Sequence, residues 1–418
     1  MKINESLDNA KFDIIIYGAS SFTGKLVLEY FFKKYSNSPQ LKWGIAGRNH
    51  KKLSRALTEI KEAYPTQNNI DIPIIVADGY DPLSLDELTK QSKVILTTVG
   101  PYAKYGSLLV ASCVENGTDY CDLAGETQWI RKMIDTHQSK AEETGARIVH
   151  ACGFDSIPSD MGVFYMQEEA RRKYQKPLKQ IQLFVKAMKG GASGGTIASI
   201  LNVIAEGSAN RDIARTVSHP YGLNPNDKKT GPDKRDQASI IYNDELECWT
   251  APFFMASINT RIVRRSNALM NFIYGGDFSY SESTICGKKL TGRLKAIFLT
   301  VTLGLFFVGS ANSVTRKYII EKLLPSPGQG PSKEQRQNGF FKLILLGKTK
   351  DNEGLSIQVT GDRDPGYGST SKMLSETAIC LACDKIETKG GIWTPASALG
   401  AKLLTRLKTN AGMTFKIL

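Results

Sequence analysis

The sequence predicts an α/β protein: a Rossmann-type doubly wound parallel sheet followed by a second mixed α/β domain. Three observations lead there. Six short apolar runs alternate with helix-like segments over the first 150 residues. The first run, FDIIIY, passes directly into the glycine-rich turn GASSFTG. From about residue 178 the runs alternate apolar and polar, as strands with one wet face do. With 418 residues the chain is long enough for two or three domains. A composition of 41% hydrophobic and 23% charged residues is that of a globular protein and excludes wholesale disorder or a multi-span membrane protein.

Residues 12–17 read as a buried parallel strand because an uninterrupted apolar run ends at glycine. The helix that follows carries Leu26, Val27, Tyr30 and Phe31 at helical spacing. The unit repeats with strands at 42–46, 72–76 and 94–98 and helices after Asn49, Pro82 and Lys104. Shorter strands at 119–123 and 147–151 close the series, with a helix from Trp129 between them. Beyond them, IQLFVKAM alternates as a strand, and Ile197, Ile200, Leu201 and Ile204 define a helix after GGASGG. Residues 219–239 and 325–339 are rich in Pro, Gly and charged residues and read as surface loops. Strands are expected at Lys342–Leu346 and Ser356–Thr360, and helices at 370–383 and 396–408.

The turn GASSFTG carries the sharpest chemical signal. Gly18 permits the tight strand-to-helix turn, Gly24 permits close packing of helix on sheet, and Ser21 stands where the common dinucleotide fingerprint has its middle glycine. The N–H groups around Ser21, Phe22 and Thr23 open a helix and can receive a pyrophosphate, with Ser20, Ser21 and Thr23 adding hydroxyl donors. The second strand ends in Gly47, Arg48 and Asn49, where an NAD site usually places an acid. A guanidinium there gives two charge-assisted bonds to a 2′-phosphate, so Arg48 points to NADP. Asp78, closing the third strand, is placed for the adenine amino group or for a helix cap. The fourth strand runs into TTVGPYAKYG, so Thr98, Gly100 and Pro101 are expected at the nicotinamide half.

For catalysis two residues stand out. Tyr102, with Lys104 nearby, offers an acid. Asp155, in the turn ACGFDSIPSD after the sixth strand, faces the same end of the sheet. Asp122 and Glu126 flank the preceding turn as a candidate acid pair, and Asp160 reads as the cap of a helix beginning near Met161. His150 reads as a satisfied core imidazole. The seven cysteines include one close pair, Cys380 and Cys383, which lies in an apolar helical run and reads as structural thiols. With no His or Cys cluster, no metal is assigned.

Lys plus Arg exceed Asp plus Glu by 13, which attracts polyanions, yet the basic residues are dispersed and no nucleic-acid motif is present; no nucleic-acid partner is expected. Residues 296–311, AIFLTVTLGLFFVGSA, are uncharged. Sixteen residues extend about 24 Å as a helix, short of a hydrocarbon core of about 30 Å. Three readings stand: a core or homodimer-interface helix, a helix resting on an anionic membrane surface beside Lys288, Lys289, Arg293 and Lys295, and a true span. The N-terminus has neither an apolar signal region nor an arginine run, so the expected location is cytoplasmic, with peripheral membrane contact if the second reading holds.

GASSFTG, GIAGR, TTVGPYAKYG, YCDLAGE, ACGFDSIPSD, DPGY and GGIWTPASALG, in this order, resemble the saccharopine dehydrogenase-like oxidoreductases, including the trans-acting enoyl reductases. The resemblance runs from about residue 12 to 418 and is least specific over 165–320. It implies a nicotinamide-binding domain, a second α/β domain and a C-terminal segment that returns to the first. The resulting division is a flexible N-terminus over 1–11, a dinucleotide-binding domain over 12–165, a substrate or oligomerisation domain over 166–385 and the returning segment over 386–418. The activity expected is NADP-dependent reduction of a C=C bond in a small hydrophobic or carrier-bound, lipid-like enoyl substrate. Saccharopine-type imine reduction, or a non-catalytic scaffold at a lipid surface, is the alternative.

Overall fold

The computed structural model describes residues 10–38, 40–67, 70–190, 194–316 and 330–418. Six strands open the chain: β1 Phe12–Tyr17, β2 Trp43–Gly47, β3 Ile74–Val76, β4 Ser92–Thr97, β5 Asp119–Cys121 and β6 Arg147–Val149. Six more follow: β7 Gln180–Lys189, β8 Ile241–Asn243, β9 Cys248–Pro252, β10 Ser279–Gly287, β11 Phe340–Lys348 and β12 Gly354–Gly361. The chain ends with β13 Gly391–Trp393 and β14 Met413–Ile417.

The first sheet has the order β13-β6-β5-β4-β1-β2-β3, and every pairing in it is parallel. Strand order reverses between β1 and β4, where Ile14 pairs with Trp43 on one side and Val94 on the other. At such a reversal the two flanking crossovers leave on opposite faces and a crevice opens beyond the strand ends. Ile14, Ile15 and Ile16 are all fully buried, as a parallel strand covered on both faces requires. One cover is the helix Phe22–Tyr35, which buries Val27, Leu28, Phe31 and Phe32. Another is the late helix Thr370–Cys383, packed against β1, β4, β5 and that same helix. The chain thus returns to the first sheet by residue 370.

The second sheet has the order β14-β12-β11-β7-β10-β9-β8 and is mixed: β7 and β10 run parallel, and its other pairings are antiparallel. The helix Ile157–Tyr174 links the two sheets, burying Met161, Val163 and Met166.

Several sequence expectations need correction. The helix after β6 begins at Ile157, four residues before Met161, so Asp160 lies within its first turn and does not cap it. Segment 219–239 is no free surface loop. Tyr221, Leu223 and Asn224 are buried, Asp233 pairs with Arg264 Nε at 2.6 Å, and Asp236 pairs with Arg261. Both arginines lie on the helix Ala256–Leu269, whose charged sequence hides a buried element. Within 325–339 the described part contains the helix Lys333–Gln337, closed by a capping box between Ser332 and Gln335. Residues 1–9 of the expected flexible terminus lie outside the described residues.

The largest departure concerns 296–311. The helix extends over Lys289–Ala311, and along it only Gly292, Ala296 and Ser310 are buried. It is not a core helix.

Candidate active site

The site forms where β1 and β4 end. Gly18 has a φ of +88°, and a Cβ there would stand 2.5 Å from Val99 Cγ2. A Cβ on Gly24 would lie 2.1 Å from the carbonyl oxygen of Gly18. Both glycines are therefore needed for helix and strand to approach this closely. Ser21 caps the helix Phe22–Tyr35, its Oγ accepting the Gly24 N–H at 2.9 Å. Thr98 donates to the Gly18 carbonyl at 3.2 Å, which leaves the Ser21 hydroxyl as donor to Thr98 Oγ1 at 3.1 Å. Ser21 is thus a structural tie between the two turns. The first-turn N–H groups of Phe22 and Thr23 have no acceptor within the helix by helical geometry, and Ser20 and Thr23 stand half-exposed beside them. This cradle of backbone donors at a positive helix end fits a pyrophosphate.

Phe22 serves another purpose. Its ring packs edge-on to Tyr367 at 5.1 Å, and the Arg336 guanidinium sits 5.4 Å over it. Segment 331–339 and the DPGY turn of the second domain, in which Asp364 accepts the N–H groups of Tyr367 and Gly368, therefore cover the cofactor helix. Arg336 had escaped the sequence reading; the Ser332–Gln335 capping box is the signal that would have found its helix.

At the adenosine end, Arg48 is exposed just beyond β2, and Asn49 caps the helix His50–Ala63 through a 3.0 Å bond from the Lys52 N–H. Arg48 is in no ion pair among the described residues. Asp78 accepts the Tyr80 N–H at 3.1 Å, whereas Asp81 caps the helix Pro82–Lys90. Beside them, burial raises the Tyr17 phenol to about 12, with the Asp78 charge adding and Arg48 opposing. Exposed Tyr80, edge-on to Tyr105 at 5.6 Å, supplies an aromatic wall that the sequence reading missed.

At the nicotinamide end the expected groups part company. Tyr102 is buried; its hydroxyl donates to the Thr97 carbonyl at 3.3 Å and accepts the Leu123 N–H at 3.1 Å. Burial, and then the Asp122 charge, hold that phenol well above 10. Asp122 and Glu126 form no acid pair. Asp122 binds Tyr120, His150 Nδ1 at 2.7 Å and the N–H groups of Ala124 and Ala151. Glu126 accepts the N–H groups of Tyr102 and Ala103. Burial raises the Glu126 carboxyl, against the pull of those bonds. His150 is buried, yet its Nε2 has no partner among the described residues.

Asp155 differs. It is half-buried between the turns after β5 and β6, with Oδ1 3.3 Å from where a Cβ on Gly125 would stand and Oδ2 3.1 Å from that of Gly153. Protein mass around it withdraws solvent and, with the Asp122 charge, lifts its carboxyl to about 7 despite a bond from its own backbone N–H. Asp160 is also raised to about 7 by burial, but it is spent on structure: it accepts the Ser266 hydroxyl at 2.5 Å and the Ala396 N–H at 2.8 Å. A carboxyl raised toward neutrality beside the strand ends is suited to proton transfer.

The turn Thr98–Pro101 is roofed by the helix Gly194–Ala209. Its Ser199 donates to Glu126 Oε1 at 2.9 Å and approaches Gly100, while Ile197 and Leu201 are buried. The arginines of Ala256–Leu269 do not face this space: Arg261 and Arg264 pair with Asp236 and Asp233, and Arg265 donates to the carbonyls of Leu223 and Ile392. No group of three or more His, Cys, Asp or Glu able to hold a metal occurs among the described residues; Cys380 is buried and Cys383 is exposed.

Residues 14–149 match the saccharopine dehydrogenase NADP binding domain. A protein of Mycobacterium tuberculosis, assigned by inference as a trans-acting enoyl reductase, is 37% identical over 409 residues, covering 95% of each chain. The trans-acting enoyl reductase of Mycobacterium leprae is 35% identical over 415 residues, 96% of this chain and 97% of its own. Among solved structures, apo saccharopine dehydrogenase (L-Glu forming) of Saccharomyces cerevisiae superposes with a TM-score of 0.53 over 97% of this chain and all of the other. At 9% identity this similarity concerns the fold.

Proposed function

Because the chain belongs to the saccharopine dehydrogenase-like oxidoreductases, together with the trans-acting enoyl reductases, we propose that it reduces the C=C bond of a hydrophobic or carrier-bound enoyl substrate with NADPH. The family makes it an NAD(P)-dependent oxidoreductase whose first domain binds NADP(H). The observation that carries the finer reading is the state of the arginines of Ala256–Leu269, which are bound to Asp236, Asp233 and backbone carbonyls. A substrate with several carboxylates needs free cations to replace its hydration, whereas an acyl chain needs none.

When bound, the nicotinamide supplies the hydride that saturates the β-carbon. The chain's own residues hold and orient. The first-turn N–H groups of Phe22–Tyr35 take the pyrophosphate, Arg48 takes the 2′-phosphate, and the tie of Ser21 to Thr98 keeps the two turns at one spacing. Asp155, protonated below about pH 7, delivers the proton to the α-carbon. Tyr102 positions the turn and donates nothing, since its proton is held by Thr97.

NADPH oxidation against a panel of 2-enoyl-thioesters of increasing chain length, with an amino acid plus semialdehyde as the imine arm, tests this. Turnover that rises with chain length supports it. Turnover confined to the imine arm overturns it.

A further inference from the structure

The helix Lys289–Ala311 has two unlike faces. One is seated on the protein at Gly292, Ala296 and Ser310. Gly292 approaches Gly287 so closely that a Cβ would stand 2.0 Å from its carbonyl oxygen. Ala296 packs with Ala251, Cys286 and Leu299, and Ser310 is fully buried near the far end. The other face presents Leu290, Leu294, Phe298, Val301, Leu305 and Val308, between 53% and 73% exposed. Their spacing of four, four, three, four and three residues makes one straight stripe down the outer side. The helix carries no acidic residue, and Lys289, Arg293 and Lys295 stand exposed beside the first half of the stripe.

This arrangement decides among the occupants. A spanning helix must leave the protein on all sides, and this one is held at its start, where Gly292 and Ala296 sit against β9 and β10, and again at Ser310. A second copy seated on the same stripe would bring a helix with three exposed cations and no carboxylate against another of the same kind, which repels. An anionic lipid surface satisfies both features: apolar side chains enter the acyl boundary and the cations meet the headgroups.

The seated side leads to the reaction site. The helix packs against Gly194–Ala209, and that helix in turn reaches Glu126 through Ser199. One helix diameter, about 10 Å, therefore separates the lipid-facing stripe from the roof of the Thr98–Pro101 turn. We infer that Lys289–Ala311 lies flat on an anionic bilayer and that the protein takes its hydrophobic substrate from that bilayer, past the helix Gly194–Ala209. The second half of this inference rests on the enoyl reading above; the first half does not.

The test is flotation of the full chain with vesicles of phosphatidylcholine alone or with phosphatidylserine at roughly 3:1. Binding is expected to the anionic vesicles, to weaken as salt rises, and to fall at least about 10-fold in a Leu294→Ser, Phe298→Ser, Leu305→Ser variant, whose sites are already wet. Leu299, which packs inward, is left untouched. NADPH affinity reports that the variant is folded. A Lys289→Glu, Arg293→Glu, Lys295→Glu variant should lose the preference for phosphatidylserine. Turnover of a short soluble enoyl-thioester should survive the serine changes, while turnover of a long-chain enoyl substrate held in vesicles should drop about 10-fold. Unchanged flotation of the serine variant overturns the docking half. So does a wild type that stays off vesicles and forms a dimer lost on serine substitution. A wild type that binds vesicles but reduces no enoyl substrate overturns the substrate half and the reading beneath it, and supports docking.

Discussion

Ser21 Oγ lies 3.1 Å from Thr98 Oγ1, and through this bond the turn after β1 is tied to the turn after β4 across the crevice of the sheet. The same serine caps the helix whose N-terminus faces that crevice, so one side chain sets the positions of the phosphate end and the nicotinamide end together. Gly24 makes the tie possible, because a Cβ there would enter the Gly18 carbonyl. Gly24→Ala is expected to destabilise the protein by about 2 kcal/mol. It should also weaken NADPH binding at least about 10-fold, equivalent to about 1.4 kcal/mol. Thermal unfolding with and without NADPH reads both; an unshifted midpoint with intact binding would show that the helix can move away freely.

Arg48 stands exposed at the end of β2 with no ion-pair partner among the described residues. Arg48→Ala should weaken NADPH about 10- to 100-fold, as expected for charge-assisted bonds of about 1.5–3 kcal/mol. The affinity for NADH should barely change. Equal losses for the two cofactors in titration calorimetry would move the phosphate away from Arg48.

Asp155 links a pH profile to one side chain. Its folded carboxyl is raised from 3.8 to about 7, so the protonated form needed to donate is full well below that value and is lost as pH rises through it. Reduction should therefore decline above about pH 7, whereas the reverse oxidation, which needs the carboxylate, should rise over the same window. Asp155→Asn should remove that limb, lower kcat about 100-fold and leave NADPH affinity intact. An unchanged profile in the variant would assign the proton to another group.

In the second domain, Asp233 neutralises Arg264 and also accepts the Ser279 hydroxyl at 2.6 Å, with both Arg264 and Asp233 buried. Asp233→Ala strands a buried guanidinium and should cost about 3 kcal/mol, with a smaller loss for Asp236→Ala at a more open position. Equal, small losses in urea unfolding would mean that backbone carbonyls alone satisfy Arg264.

The parallel sheet was legible because its strands, buried on both faces, leave uninterrupted apolar runs such as FDIIIY, and because Gly18 and Gly24 mark a turn whose backbone admits no Cβ. The second domain was harder to read. Ala256–Leu269 carries three arginines, and only their distant partners Asp233 and Asp236, and the carbonyls that hold Arg265, make it a core element. The strands β13 and β14 are short edge strands whose partners lie far away in sequence. At the site, residue type singled out Asp155 and Arg48 as candidates. Type alone could not separate Tyr102, whose hydroxyl is committed to Thr97 and Leu123, from a free acid, because that distinction lies in hydrogen bonds between segments. For 296–311, hydropathy could not tell a buried helix from an exposed one, because the exposure of Phe298, Val301, Leu305 and Val308 depends on how the helix sits against β9 and β10.

The most direct test of the central claim follows the hydride itself. The full chain is incubated with NADPH deuterated at C4 and a long-chain 2-enoyl-thioester in anionic vesicles, and the product is read by mass spectrometry. The account predicts a saturated acyl product with deuterium at the β-carbon and a solvent proton at the α-carbon. Recovery of the unsaturated substrate without label, alongside deuterium delivered to the carbon of an imine formed from an amino acid and a semialdehyde, would contradict it.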